Sequence, residues 1–276
     1  MDSMLRELGI NTDVSREMII FTLILLRTMV VVFMTPFLGG KTAPGVLKMG
    51  IGGMFAILMW PLARGSITAL PVGMIPIIVL MMKEVFVGLV IGYINQMVFF
   101  VMEVAGRLID TFRGTAMAEV MEPHAQHRVT ITGNMYEQLM LVFFMALGGH
   151  HIFFEAYANS FFLIPVDGGI STYVASGSLP DHLTKLTNEM LVMSLLLSLP
   201  AGAATFITDV VFGMLNRVAP QLNAYFMAMP VKAIGGLLMV MLVMDVFVSR
   251  SKEFIEWELT MLTHGIKLLA PIAGGH

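Results

Sequence analysis

No cysteine occurs in the 276 residues, so disulfides, iron–sulfur clusters and thiolate metal sites are excluded, whichever compartment the loops face. Charge is almost as scarce. Asp, Glu, Lys and Arg make up 13% of the chain against 57% hydrophobic residues, and the mean hydropathy is +0.83, whereas soluble domains carry about a quarter charged residues. A soluble core cannot absorb that composition, and the apolar runs approach or exceed the roughly 18 residues that mark a membrane span. The chain therefore reads as an integral membrane protein. It also lacks a basic surface: the net charge is −3 and the 16 Lys and Arg are scattered, which leaves no footprint for nucleic acid. The first apolar run, residues 18–38, has no small-residue cleavage site and carries Arg27 near its middle, so it is expected to remain in the mature chain.

What is present is a series of about six long apolar segments, at residues 18–38, 46–62, 72–102, 139–165, 190–212 and 227–248. They predict an all-α membrane protein whose helices are in several places kinked or broken. Asp13 is placed to cap the first helix, Pro61 and Arg64 close the second run, and Gly148, Gly149, His150 and His151 break the fourth. Pro76 lies near the start of the third run and Pro200 inside the fifth. Lys83 and Glu84 are neighbours inside the third run, and adjacent helical positions point about 100° apart, so they are not expected to share a face. The Gly- and Ser-containing stretch 167–181, with Pro180, is the plausible linker, and it puts a domain boundary near residue 185. The last two runs flank Asn216, Arg217, Pro220 and Gln221 and read as a helical hairpin. Beyond them, residues 251–269 place Phe254, Trp257, Met261, Leu262, Leu268 and Leu269 roughly on one face, with Lys252, Glu253, Glu256, Thr260 and Lys267 elsewhere. That pattern predicts an amphipathic helix.

The functional candidate is the interruption at residues 103–128. Here Glu103, Arg107, Asp110, Arg113, Glu119, Glu122, His124, His127 and Arg128 crowd around Gly106, Gly114, Ala116 and Ala118. Charge beside hydrocarbon is costly and marks function. Orientation by loop charge fails: Lys41, Lys48, Arg107, Arg113, Arg128, Arg217 and Lys232 fall on one side, and Arg6, Arg16, Arg64, Lys185, Arg250, Lys252 and Lys267 on the other. Ordinary inner-membrane proteins show a clear cytoplasmic excess, so this tie suggests helices that face other subunits instead of lipid. Other constellations are weak. His124 and His127 near Glu119 and Glu122, and His151 with Glu155, lack a third well-spaced ligand, so no metal is expected. Ser160 with His150 has no surrounding motif for a protease. The 27 methionines read either as apolar filler or as a deformable sealing surface. Asp209 and Asp245 read as a proton or ion relay, or as partners of cations on neighbouring helices.

Three stretches carry a family resemblance: GRLIDTFRGTAMAEVMEP, FFMALGGHHIFFEAYANSFFLIP and FGMLNRVAPQLNAYFMAMPVKAIGG. They resemble the FliR/SctT family of export-gate proteins of bacterial type III secretion, flagellar and injectisome alike. The resemblance runs from Arg27 and Pro36 through Lys83, Glu84, Gly88 and Gly92 to Lys232, and is sharpest at residues 216–223 followed by Pro230 and Lys232. It implies a non-enzymatic channel component without cofactor, built as helical hairpins and raised largely out of the membrane plane. The expected partners are FliP-like and FliQ-like subunits, with a FlhB-like subunit and an FlhA-like export subunit nearby, membrane lipid, and unfolded protein substrates in transit. The family organisation implies a FliP-like portion at 1–185 and a FliQ-like hairpin with its tail at 186–276.

The resemblance also implies that residues 106–123 form part of a plug closing the channel, with Gly106, Asp110, Arg113, Gly114, Ala116, Glu119 and Pro123 as the closing residues. Gly114 and Ala116 are expected to pack closely, and Asp110, Arg113 and Glu119 to make polar contacts. Subunit contacts are expected from Arg27, Lys83, Glu84, Asp209, Asn216, Arg217, Pro220, Gln221, Asn223 and Lys232, because one chain is not expected to supply partners for Arg27, Lys83 and Asp209. Arg113–Gly114 after Asp110 is reminiscent of injectisome members. His150–His151, followed by Ser160–Phe161 and Ile164–Pro165, resembles flagellar ones, and the flagellar branch is favoured, with localisation to the inner membrane within the flagellar basal body. A secondary transporter using Glu84, Asp209 and Asp245 as ion sites would predict an inverted repeat, which the sequence does not display. A purely structural scaffold would give residues 103–128 no role.

Overall fold

The computed structural model describes residues 13–40, 43–65, 67, 71, 73–114, 130–169, 177–221 and 223–271. Seven α-helices are described: α1 (Asp13–Met34), α2 (Gly45–Arg64), α3 (Met74–Phe112), α4 (Ile131–Ala146), α5 (Gly149–Leu163), α6 (Ser178–Val218) and α7 (Ala224–Leu269). A short 3-10 turn at Pro36–Leu38 follows α1, and no strand occurs among the described residues. Hydrocarbon offers the backbone no hydrogen bonds, so apolar runs of this length close their own ladder as helices. Residues 16–34 of α1, and the whole of α2, α3 and α6, are long and apolar enough to cross a membrane. Helices α4 and α5 qualify only as a pair bent by 75°, and the apolar part of α7, Phe226–Leu242, is shorter. The protein is an all-α membrane protein.

Two boundaries differ from the sequence expectation. Helix α3 does not stop where its apolar run ends but continues through Glu103, Arg107 and Asp110 to Phe112. Glu103 and Arg107 are one turn apart and paired at 2.5 Å, the i,i+4 spacing that supports a helix in spite of its polarity. The described interruption therefore begins only after Phe112. In the tail, which is the continuous end of α7, the buried residues are Ser251, Ile255, Glu258, Leu259, Leu262, Ile266 and Leu269. Phe254, Trp257, Met261 and Leu268 are only partly covered, so the inward stripe is rotated from the expected one and has an acid at its centre.

The chain forms two compact units, one of residues 1–96, 148–186 and 258–276 and one of residues 97–147 and 187–257. In the first, Leu23 and Ile24 of α1, Val87, Ile91 and Ile94 of α3, and Phe153 and Phe161 of α5 are fully buried. Phe37 packs edge-on against Phe153 at 5.3 Å, and Phe55 stacks on Phe154 at 4.9 Å. In the second, Phe99 of α3 meets Phe144 of α4 at 5.4 Å, and the Ser194 hydroxyl of α6 donates to the Val101 carbonyl at 3.1 Å. The break between α4 and α5 falls where the sequence puts it: Gly148 has φ +78°, a left-handed conformation that glycine adopts without a Cβ penalty.

Candidate functional site

The first unit contains a buried cluster of acidic and basic side chains. Arg27 and Glu84 are fully buried and joined by two hydrogen bonds, Nε to Oε2 at 2.6 Å and Nη2 to Oε1 at 3.1 Å. Lys83 reaches the same carboxylate at 2.8 Å. Consecutive Cβ atoms do diverge, but the four-carbon stem of lysine brings its ammonium back, so the expectation that Lys83 and Glu84 cannot meet is corrected. The remaining donors go to backbone: Arg27 donates to the carbonyls of Ser160 and Ile164, and Lys83 to those of Pro165, Val166 and Gly168. Two cations thus gather on carbonyls at and just beyond the C-terminus of α5, where positive charge is also favoured by the helix dipole. The Arg27 guanidinium lies over the Phe161 ring at 4.3 Å.

Arg27 and Glu84 present no side-chain surface, so they organise this chain's own interior. The expectation that Arg27 and Lys83 lack partners within the chain does not hold. Nor does Ser160 act as a nucleophile: it is fully buried, donates to the Tyr157 carbonyl at 2.6 Å and accepts from Arg27 at 3.3 Å.

In the second unit the ends of α3 and α4 are tied together on either side of residues 115–129. A Cβ added at Gly106 would lie 2.5 Å from the backbone of Gly133, so α3 and α4 approach at backbone distance, as small-residue interfaces in membranes allow. Asp110 accepts from the Thr132 amide at 2.9 Å and its hydroxyl at 2.6 Å. It caps α4 from the neighbouring helix, since no side-chain bond comes from Thr130 at the N-cap position itself. Arg113 lies 3.5 Å from Asp110, donates to the Thr132 hydroxyl at 3.3 Å and reaches the Ala233 carbonyl of α7 at 3.2 Å. Gly236 makes room for it: a Cβ there would meet the aliphatic part of Arg113.

Of the expected closing residues, Gly106, Asp110 and Arg113 gather in this stem. Gly114 does not pack as expected, because no described atom lies within 4 Å of a Cβ built there, and its glycine is required by φ +77° instead. Ala116, Glu119 and Pro123 lie outside the described residues, as do Glu122, His124, His127 and Arg128.

The hairpin of α6 and α7 has its own charge pair. Lys232 and Asp209 form an ion pair across the two helices, the pairing with a cation on a neighbouring helix that is one of the two readings of Asp209. The acids Glu84 and Asp209 thus each face a cation of this chain; nothing is described of the Asp245 side chain. The turn of the hairpin is the opposite case. Asn216, Arg217, Pro220, Gln221 and Asn223 are all exposed, so this is surface available to another molecule.

Comparison with known proteins decides what this arrangement belongs to. The family of bacterial export proteins, family 1, matches residues 18–257. The chain belongs to this family. Among its relatives are the Yop proteins translocation protein T of Yersinia pestis, 28% identical over 94% of this chain and 97% of the relative, and the flagellar biosynthetic protein FliR of Bacillus subtilis, 26% identical over 82% and 86%. The surface presentation of antigens protein SpaR of Salmonella typhimurium is 27% identical over 75% and 76%. The matched span of this export protein takes in the Arg27–Glu84–Lys83 cluster, the stem and the hairpin turn.

Thr132 and Glu258 are not marked by the sequence, and neither is the role of Ser160 as a partner of Arg27. Nothing local marks Thr132 as the partner of an aspartate on another helix. Glu258 is fully buried, and among the described residues neither carboxylate oxygen has a hydrogen-bond partner. Burial alone pushes its carboxyl pKa well above the ordinary 4.5. The signal that could have found it is its spacing, three and four residues from Ile255 and Leu262.

Proposed function

We propose that this chain is a non-enzymatic subunit of the export gate of a bacterial type III secretion apparatus, helping to pass unfolded proteins across the inner membrane. The observation that carries this reading is the family match over residues 18–257, whose relatives bear the names of flagellar biosynthetic and Yop translocation proteins. Its partners in this reading are FliP-like and FliQ-like subunits, with a FlhB-like subunit and an FlhA-like export subunit. Residues 1–185 act as the FliP-like part and 186–276 as the FliQ-like hairpin. The exposed turn bearing Asn216, Arg217, Pro220, Gln221 and Asn223 contacts neighbours, Arg217 by charge-assisted hydrogen bonds. Lys232, held by Asp209, contributes by fixing the hairpin.

Residues 106–123 act as the plug. The Asp110–Thr132 cap and the Gly106–Gly133 contact support this, because they fix both ends of the segment that would close the channel. The test removes residues 115–121 from the complete gate and measures small-solute permeability of the cells, with assembly checked by co-purification. The expected result is an assembled gate that leaks, since a sealed membrane excludes small ions. A deleted gate that assembles and stays tight would refute the plug reading.

The apparatus is proposed to be flagellar, on the residues His150–His151, Ser160–Phe161 and Ile164–Pro165. A second reading, an injectisome gate, is favoured by the fuller coverage of the Yop translocation relative. Complementation separates them: restored swimming in a strain lacking its flagellar counterpart supports the first, and restored secretion of injectisome substrates the second.

A further inference from the structure

Within the second unit, helices α6 and α7 together line a cavity of about 550 Å³, in the size range of sites for small organic ligands. Its walls are Met193, Leu196, Leu197 and Pro200 of α6 with Phe254 and Trp257 of α7, and its rim holds Arg250 and Glu253. None of these residues takes part in the stem, the hairpin turn or the buried cluster. The cavity adjoins an uncovered apolar stripe of α6 at Leu191, Val192, Leu195 and Leu199, so an aliphatic chain can enter it without crossing a polar barrier.

The rim is charged in both senses. Arg250 and Glu253 pair at 2.5 Å, with side chains 58% and 62% exposed; a pair so open to solvent contributes little and can be exchanged for another partner. The Trp257 indole donates to Glu189 at 2.9 Å. One guanidinium and one carboxylate on the rim match a group bearing a phosphate and an ammonium together, and favour it over a purely anionic one. A tryptophan with its ring on an apolar wall and its N–H on a polar group is the arrangement found at membrane interfaces.

We propose that this cavity seats an acyl chain of a phospholipid whose headgroup carries both a phosphate and a primary ammonium, the phosphate on Arg250 and the ammonium on Glu253. A partner protein's apolar side chain is the competing occupant.

The chain has two tryptophans, Trp60 and Trp257, so Trp60→Phe leaves the cavity wall as the sole indole reporter. The full-length chain in nanodiscs is titrated with lipids brominated on the acyl chain, carrying either phosphatidylethanolamine or phosphatidylglycerol headgroups. Half-maximal quenching of Trp257 is expected at an about fivefold lower fraction of the ethanolamine lipid, the discrimination that one solvent-exposed charge contact provides. Glu253→Gln should remove that preference. Met193→Phe with Leu196→Phe should fill the cavity and lose most of the quenching, helix content being unchanged by circular dichroism.

Equal quenching by the two lipids, or quenching indifferent to both variants, would overturn the proposal. So would protection of Trp257 from every brominated lipid once the chain is co-purified with its partner subunits, because a protein would then hold the cavity. Should the double Phe variant not fold, the headgroup comparison with Glu253→Gln decides alone.

Discussion

Removing the acid from the buried cluster should damage the protein more than removing the arginine, although both substitutions break the same ion pair. Arg27 and Lys83 carry two positive charges against the one negative charge of Glu84, and the side chains of Arg27 and Glu84 are 0% exposed. Arg27→Met leaves Lys83 and Glu84 as a neutral pair and costs the hydrogen bonds to Ser160 and Ile164. Glu84→Gln leaves two cations near one another with carbonyl dipoles and the more distant charge of Asp167 beside Lys83, and takes away the one carboxylate that both cations touch. Breaking a buried pair so that charge is left uncompensated costs about 3–5 kcal/mol. Losing bonds to neutral carbonyls costs about 1–3 kcal/mol, and the methionine side chain recovers part of that through packing. Glu84→Gln should therefore exceed Arg27→Met by about 2 kcal/mol, and Arg27→Met with Glu84→Gln together should be less costly than Glu84→Gln alone. The assay is denaturant unfolding of the purified chain in mild detergent, followed by circular dichroism, with all three variants. If Arg27→Met proves as costly as Glu84→Gln, uncompensated charge is not what governs this site, and the carbonyl contacts of the guanidinium are.

The Gly106 contact predicts that Gly106→Ala destabilises by about 1–3 kcal/mol, because a backbone cannot yield as a side chain can, while Gly53→Ala, where a Cβ meets open space, is neutral or slightly stabilising; equal losses in parallel unfolding curves would refute the close approach. The folded state holds the Glu258 proton more tightly than the unfolded chain does, so stability should fall as pH rises from about 4.5 toward the raised folded value. Glu258→Gln should abolish that slope, and parallel pH profiles would mean that a counter-charge ionises the group. The Lys232–Asp209 pair has one half-exposed member, so Lys232→Ala should cost only about 0.5–1 kcal/mol, and exchanging the two residues should restore most of it in the same assay.

The spans were legible because twenty apolar residues have few other uses, and the α4–α5 break because Gly148 is one of the few residues that can turn there. The extension of α3 to Phe112 is not legible in this way, since a fall in apolarity does not end a helix that an i,i+4 pair sustains. Lys83 meeting Glu84 depends on side-chain reach, which positional angles do not express. Asp110 with Thr132, and Lys232 with Asp209, depend on the register between helices, and register follows from the packing of whole elements. The hairpin turn at 216–223 shows the reverse: its residues are recognisable because surface positions owe their identity to something other than this chain's core.

The 75° bend at Gly148 bears on how the protein is made. At about 1.5 Å per residue, α4 rises roughly 24 Å and α5 roughly 23 Å, and neither reaches across a hydrocarbon layer of about 30 Å. Membrane insertion reads composition, and composition presents this stretch as a single pass. Lipid does not tolerate the open backbone of such a corner unless protein covers it. Wherever this stretch lies at membrane depth, the corner at Gly148 therefore requires protein around it, a demand that its composition does not reveal.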